Sequence, residues 1–166
     1  MKKITTLLSL ALLCVTTSQA QITITTGQPV ANYVNNNLIG QGVTVSNITF
    51  VGSQQQIGSF NGSATSLGFA GGLVISTGRV GDLIPGSFDN GVFLNHGDPD
   101  LVTVAQSVTT NPDAGDIDER NDAGILEFDF VPQSDLVTFR FIFASNEYKD
   151  FVQSMFNDAF GFFVSG

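Results

Sequence analysis

The chain holds one cysteine, one histidine, no tryptophan and only six lysine or arginine residues in 166. Each scarcity closes off a class of chemistry. The lone Cys14 has no partner for an internal disulfide, and without it His96 can join neither a Cys/His metal site nor a Cys-His dyad. A Ser-His-Asp triad would need a device to present its serine, and no Gly-x-Ser-x-Gly elbow occurs. His96, in Leu94-Asn95-His96-Gly97-Asp98, therefore reads as a loop histidine without a chemical role. The shortage of cations argues against nucleic acid or an anionic membrane as partner, because phosphate-binding surfaces need clustered Lys and Arg.

Long hydrophobic runs are also missing. The one candidate spans residues 7–15, about half of the roughly 20 apolar residues a membrane helix needs. Lys2 and Lys3 precede it, and Ser18-Gln19-Ala20 follows with small residues where a signal peptidase reads. Residues 1–20 are therefore expected to be a Sec-type secretory signal peptide, cleaved after Ala20. Leu13 stands before Cys14 where a lipoprotein signal carries a small residue, so Cys14 reads as an ordinary apolar residue of the leader. The remaining chain, 21–166, has no cysteine and no transmembrane segment. Its four cations, Arg79, Arg120, Arg140 and Lys149, face fifteen acids, a formal charge of −11. An exported domain without disulfides is held by its core or by ions, and its length suffices for one hydrophobic core.

What the chain does have is phenylalanine, fifteen of them, and eighteen glycines. With few helix-favouring charged residues, this composition predicts an all-β, mainly antiparallel single domain of β-sandwich or jelly-roll type. Alternation predicts strands over 22–26 and 43–51, and a compact apolar run predicts another over 73–77. Val30, Tyr33, Val34 and Leu38 fall at helical spacing behind Gln28-Pro29, so one short N-terminal helix is expected over 29–39, stopped by Gly40 and Gly42. Short strands and turns are expected within 52–72, and a short element of unassigned type over 101–108. Between 78 and 122 the apolar residues thin out into surface loops, where function tends to sit.

Three groups of residues are candidates for chemistry. Glu127 and Asp129 share one face of a strand opposite Leu126, Phe128 and Phe130, which a glycosidase acid pair would allow. Solvent-facing acids alternating with core aromatics explain the same pattern without an active site. The acid-rich stretch 113–122 could supply Ca²⁺ with oxygen ligands, Asp116, Asp118 and Asp122 foremost, although it does not follow the EF-hand spacing and also reads as a solvated acidic loop. Asn157-Asp158 could add ligands or simply form a turn. The aromatics Phe151, Phe156, Phe160, Phe162 and Phe163 could stack sugars, but burial accounts for them more cheaply, and Tyr148 beside Glu147 is the one side chain there suited to stacking.

The turn chemistry of Pro132-Gln133-Ser134-Asp135 predicts a hairpin between 126–131 and 136–143. Pairing Val131 with Leu136 would set Phe128 against Phe139 and Leu126 against Phe141 on the core face, with Glu127 opposite Arg140 outside.

The last forty-odd residues carry a resemblance. Asn121-Asp122 opens before the acidic-aromatic strand 125–131, Ser145-Asn146-Glu147-Tyr148 forms a turn, and Asn157-Asp158-Ala159-Phe160-Gly161-Phe162-Phe163-Val164-Ser165-Gly166 closes the chain. Together they resemble the choice-of-anchor L domain, a module of bacterial secreted and surface proteins. Asn146 departs from the acid that family places first in the turn, so a role needing two carboxylates there is not carried over. The resemblance implies a secreted or cell-surface, non-catalytic recognition or scaffolding module, with an anchor or sorting domain downstream in its parent protein. Its ligand would be an extracellular glycan or protein. It also implies further strands after the closing Ser-Gly, so the domain is expected to be incomplete at its C-terminal end. The competing expectation is a secreted carbohydrate-active hydrolase working through the acids named above.

Overall fold

The computed structural model describes residues 21–83, 97–108, 122–145 and 158–166. Its strands form two antiparallel sheets. One has three strands in the order β1 (Thr23–Thr25), β3 (Ile57–Asn61), β4 (Gly71–Ile75), and the other pairs β2 (Val43–Val51) with β5 (Ile125–Pro132). The all-β, antiparallel expectation holds.

In the first sheet β3 is central, pairing Ile24 with Phe60 on one side and Ile57 with Ile75 on the other. Its glycine is a packing requirement. A Cβ on Gly58 would stand 2.8 Å from the Thr25 carbonyl oxygen and 3.2 Å from a Val80 methyl, so any larger residue would push β1 off β3. Ile57 and Val80 are fully buried there.

Between β1 and β2 the expected helix forms in two parts. A single α turn, α1 (Val30–Tyr33), runs into a π turn over Val34–Leu38, closed by the Ile39 amide donating to the Val34 carbonyl at 3.0 Å. The predicted face is the buried one: Tyr33 and Val34 are sealed, with Val30 and Leu38 half-buried. The Tyr33 hydroxyl accepts from the Gln28 amide at 2.8 Å, so the polar end of this buried ring is satisfied.

β2 carries a bulge. Its half-buried residues are Val43 and Val45, then Ile48 and Phe50, so the alternation slips by one residue. The ladder slips with it, between Ser46 and Thr49, and Asn47 takes φ +52° at the break. The extra residue keeps both halves of the apolar pattern on one face.

Two expectations need correcting. The element over 101–108 is a ten-residue helix, α2 (Pro99–Val108), so the N-terminal helix is not the only one. It starts on a legible signal, since Asp98 before Pro99 caps it. The Asp98 carboxylate accepts from the amides of Asp100 at 2.9 Å and Leu101 at 3.1 Å. Asp98→Ala should lower the domain's stability by about 1 kcal/mol, whereas Asp98→Asn should cost only a few tenths, both read from urea midpoints.

The second correction concerns β5, which pairs with β2 and not with the segment after it. Val45 faces Phe130, Thr49 faces Glu127, and the ladder continues to Pro132 opposite Val43, where the Gln133 amide donates to the Gly42 carbonyl at 2.8 Å. Residues 136–145 follow without an assigned strand or helix. Arg140 accordingly lies nowhere opposite Glu127. Its Nη2 donates to the Gly68 carbonyl at 3.3 Å, and its guanidinium sits 4.4 Å over the Phe69 ring. β2 offers nine residues whose alternation, with one bulge, matches that of β5.

Candidate functional site

The expected positions of the acids on β5 are observed. Glu127 and Asp129 are exposed while Leu126, Phe128 and Phe130 are half-buried on the other face. The Asn47 side-chain amide at the β2 bulge donates to Asp129 Oδ2. The bulge and the carboxylate thus explain each other. Asn47 in the left-handed region aims its side chain across the ladder, and Asp129 fixes it.

Of the three residues proposed to hold Ca²⁺, Asp122 is described, whereas Asp116 and Asp118 lie outside the described residues. Asp122 adopts φ +47°, and its carbonyl accepts from the Gln56 side chain at 2.6 Å. Among the described residues no group of three His, Cys, Asp or Glu stands close enough to hold a metal ion. His96, Glu147, Tyr148, Phe151, Phe156 and Asn157 also lie outside the described residues. Asp158 is described, and its carboxylate accepts from the Ser145 hydroxyl.

The residue that brings the two sheets to one point is one the sequence does not advertise. Gln56 is fully buried and uses every polar atom it has. Its Nε2 donates to the Thr77 carbonyl at 3.1 Å and to the Asp122 carbonyl at 2.6 Å, and its Oε1 accepts from the Ser53 amide at 2.7 Å. Its own amide donates to Ser53 and its carbonyl accepts from Ser76, both at 2.9 Å. One side chain therefore ties the turn before β3, the chain leaving β4 and the chain entering β5. In the sequence it stands in the run Gln54-Gln55-Gln56, which reads as polar turn, and no periodicity sets it apart from its neighbours.

A shallow cleft of about 340 Å³ lies where β2 begins and β5 ends, lined by Gln41, Val43, Gln133, Ser134, Leu136 and Val137 among others. It contains no charged side chain and no aromatic ring. Its volume is at the lower end for small-molecule sites, and it offers no group able to transfer a proton.

These features define an all-β module in which Gln56 and the Asn47–Asp129 pair join segments far apart in the chain. A family model, the choice-of-anchor L domain, matches residues 18–166, and the chain belongs to that family. No curated protein and no solved structure matches it. As a choice-of-anchor domain it is a module of the secreted and cell-surface kind. No helix among the described residues is long and apolar enough to cross a membrane.

Proposed function

We propose that this chain is a non-catalytic recognition or scaffolding module, exported by the leader in residues 1–20 and acting outside the cell as part of a larger surface protein. The observation that carries the reading is the match to the choice-of-anchor L domain over residues 18–166. It is supported by the use made of one acid of the glycosidase-like pair, since Asp129 holds the β2 bulge through Asn47. With a formal charge of −11 once the leader is removed, the field of the chain does not oppose a neutral glycan or a protein without an acidic face. The experiment is a panel of neutral oligosaccharides assayed for both retention and product. Retention without product, unchanged in Glu127→Gln, is the expected outcome. Turnover that disappears in Glu127→Gln would replace this reading with a carbohydrate-active hydrolase.

Calcium belongs to the same proposal as a stabiliser, with Asp116, Asp118 and Asp122 as ligands. Asp122 is well placed to transmit such an effect, since its carbonyl is held by Gln56 and it stands three residues before β5. An ion bound only by the folded state stabilises it by about 3 kcal/mol at a hundredfold excess over Kd. Melting should therefore rise on moving from chelator to millimolar calcium, and Asp116→Asn with Asp118→Asn should abolish the rise. Identical melting in both conditions removes calcium from the account.

A further inference from the structure

We propose that Gln21 is a modification site: once the leader is removed, it closes to a pyroglutamyl lactam that blocks the N-terminus of the exported chain. The proposal rests on the leader reading above, under which cleavage after Ala20 makes Gln21 the first residue. An N-terminal glutamine carries its side-chain amide within reach of its own α-amine, with a five-membered ring as the product. The unprotonated amine attacks Cδ, the new N–Cδ bond forms as the Cδ–Nε2 bond breaks, and one amine proton leaves with the side-chain nitrogen as ammonia. No oxidant, cofactor or second substrate enters the balance. An α-amine has an ordinary pKa of about 7.7 to 8.0, so a usable fraction is unprotonated near neutral pH.

The structure leaves room for this step and gives the lactam something to protect. Gln21 is exposed and stands two residues before the first ladder pair, Thr23 with Asn61. Closing the ring constrains the backbone of Gln21 alone, so no strand pairing has to break. What lies immediately behind it tolerates loss poorly. β1 is three residues long, ends the strand order of its sheet, and among the described strands pairs with β3. Ile22 is half-buried ahead of it, and Ile24 within it is paired with Phe60. The Thr25 carbonyl lies over Gly58, beside the fully buried Ile57 and Val80. Chain ends are where proteolysis concentrates, and exopeptidases acting from the N-terminus grip the free α-ammonium. Loss of Gln21 and Ile22 would bring such an enzyme to Thr23, the start of the strand that covers Gly58. A lactam presents no ammonium, so the trimming has no place to begin.

The test is mass spectrometry of the full chain, expressed with its leader in an exporting bacterial host and measured both intact and as its N-terminal peptide. A chain that starts at residue 21 and is lighter than its unmodified sequence by one ammonia is expected. Gln21→Asn, whose amide is one methylene shorter and could close only a strained four-membered ring, should keep its full mass and a free amine. A general aminopeptidase should then shorten Gln21→Asn and leave the natural chain intact. Pyroglutamyl peptidase, which removes the lactam residue, should make the natural chain as sensitive as the variant, and this guards against cyclisation during sample handling. A chain beginning at residue 21 with an open glutamine would overturn the lactam while leaving the leader in place. A first residue other than 21 would overturn the cleavage position and the lactam together. Equal trimming of the natural chain and Gln21→Asn would overturn the protective role.

Discussion

Replacing Gln56 by leucine should lower the unfolding free energy by about 3 kcal/mol or more, a loss readable as a fall in urea midpoint at unchanged slope. The two side chains have similar size, so packing changes little and the loss is polar. Leucine would leave the Ser53 amide and the Thr77 and Asp122 carbonyls without the partners they have at 2.7, 3.1 and 2.6 Å. Each buried group abandoned in this way costs about 1 to 3 kcal/mol, reduced where water can enter. A loss under about 1 kcal/mol would mean that water replaces the carboxamide and that the three segments do not depend on it.

Gln56→Glu separates hydrogen bonding from shape still further. The introduced carboxyl would turn an oxygen toward two carbonyls that now receive N–H donors. Burial and this repulsion disfavour its charged form, so its folded-state pKa would lie above the unfolded value of about 4.3. Below that value both states are protonated, and the acid can still donate one hydrogen bond. The penalty relative to the natural chain should therefore be smallest in acid, grow as pH rises through about 4.3, and level off above the raised folded pKa. Measuring both proteins across pH 3 to 8 checks the sign, because a penalty independent of pH would place this side chain in solvent.

Ile57→Ala is the second large effect, expected at about 2 to 5 kcal/mol. Ile57 is fully buried at the start of the central strand, opposite Ile75 and next to Gly58, whose missing Cβ lets β1 approach. The β1 carbonyl that crowds Gly58 and the ladder on the other side hold the backbone, so the cavity cannot collapse easily and the loss should fall in the upper half of that range. Phe128→Ala should cost less than Ile57→Ala, because Phe128 is only half-buried on β5. The reverse order would relocate the core to the second sheet. Gln56 and Ile57 are adjacent, so their double variant should not be additive.

The local signals in the sequence were strong where the period was strong. Strands over 22–26 and 43–51, the buried face of Tyr33 and Val34, and the outward acids at Glu127 and Asp129 were all readable, because burial of one face imposes a period on the residues themselves. The bulge at Asn47 and the Asp98 cap that starts the helix over 99–108 were not read from the sequence and came from the structure. Nor was the partner of β5. A turn signal at Pro132 to Asp135 records that the chain bends, not which strand lies alongside, and β2 sits some eighty residues away in the chain.

By itself, then, the sequence determined the all-β class, the alternating faces and the family, through composition, periodicity and the motifs between Asn121 and Gly166. The tertiary structure alone decided three things: that β5 pairs with β2, that Gln56 holds three distant segments, and that Phe139 and Phe141 meet Phe162 and Phe160. Pairing, shared hydrogen bonds and ring contacts are properties of residues far apart in the chain. No local pattern carries them, because they depend on which surfaces remain once every closer demand for burial and hydrogen bonding has been met.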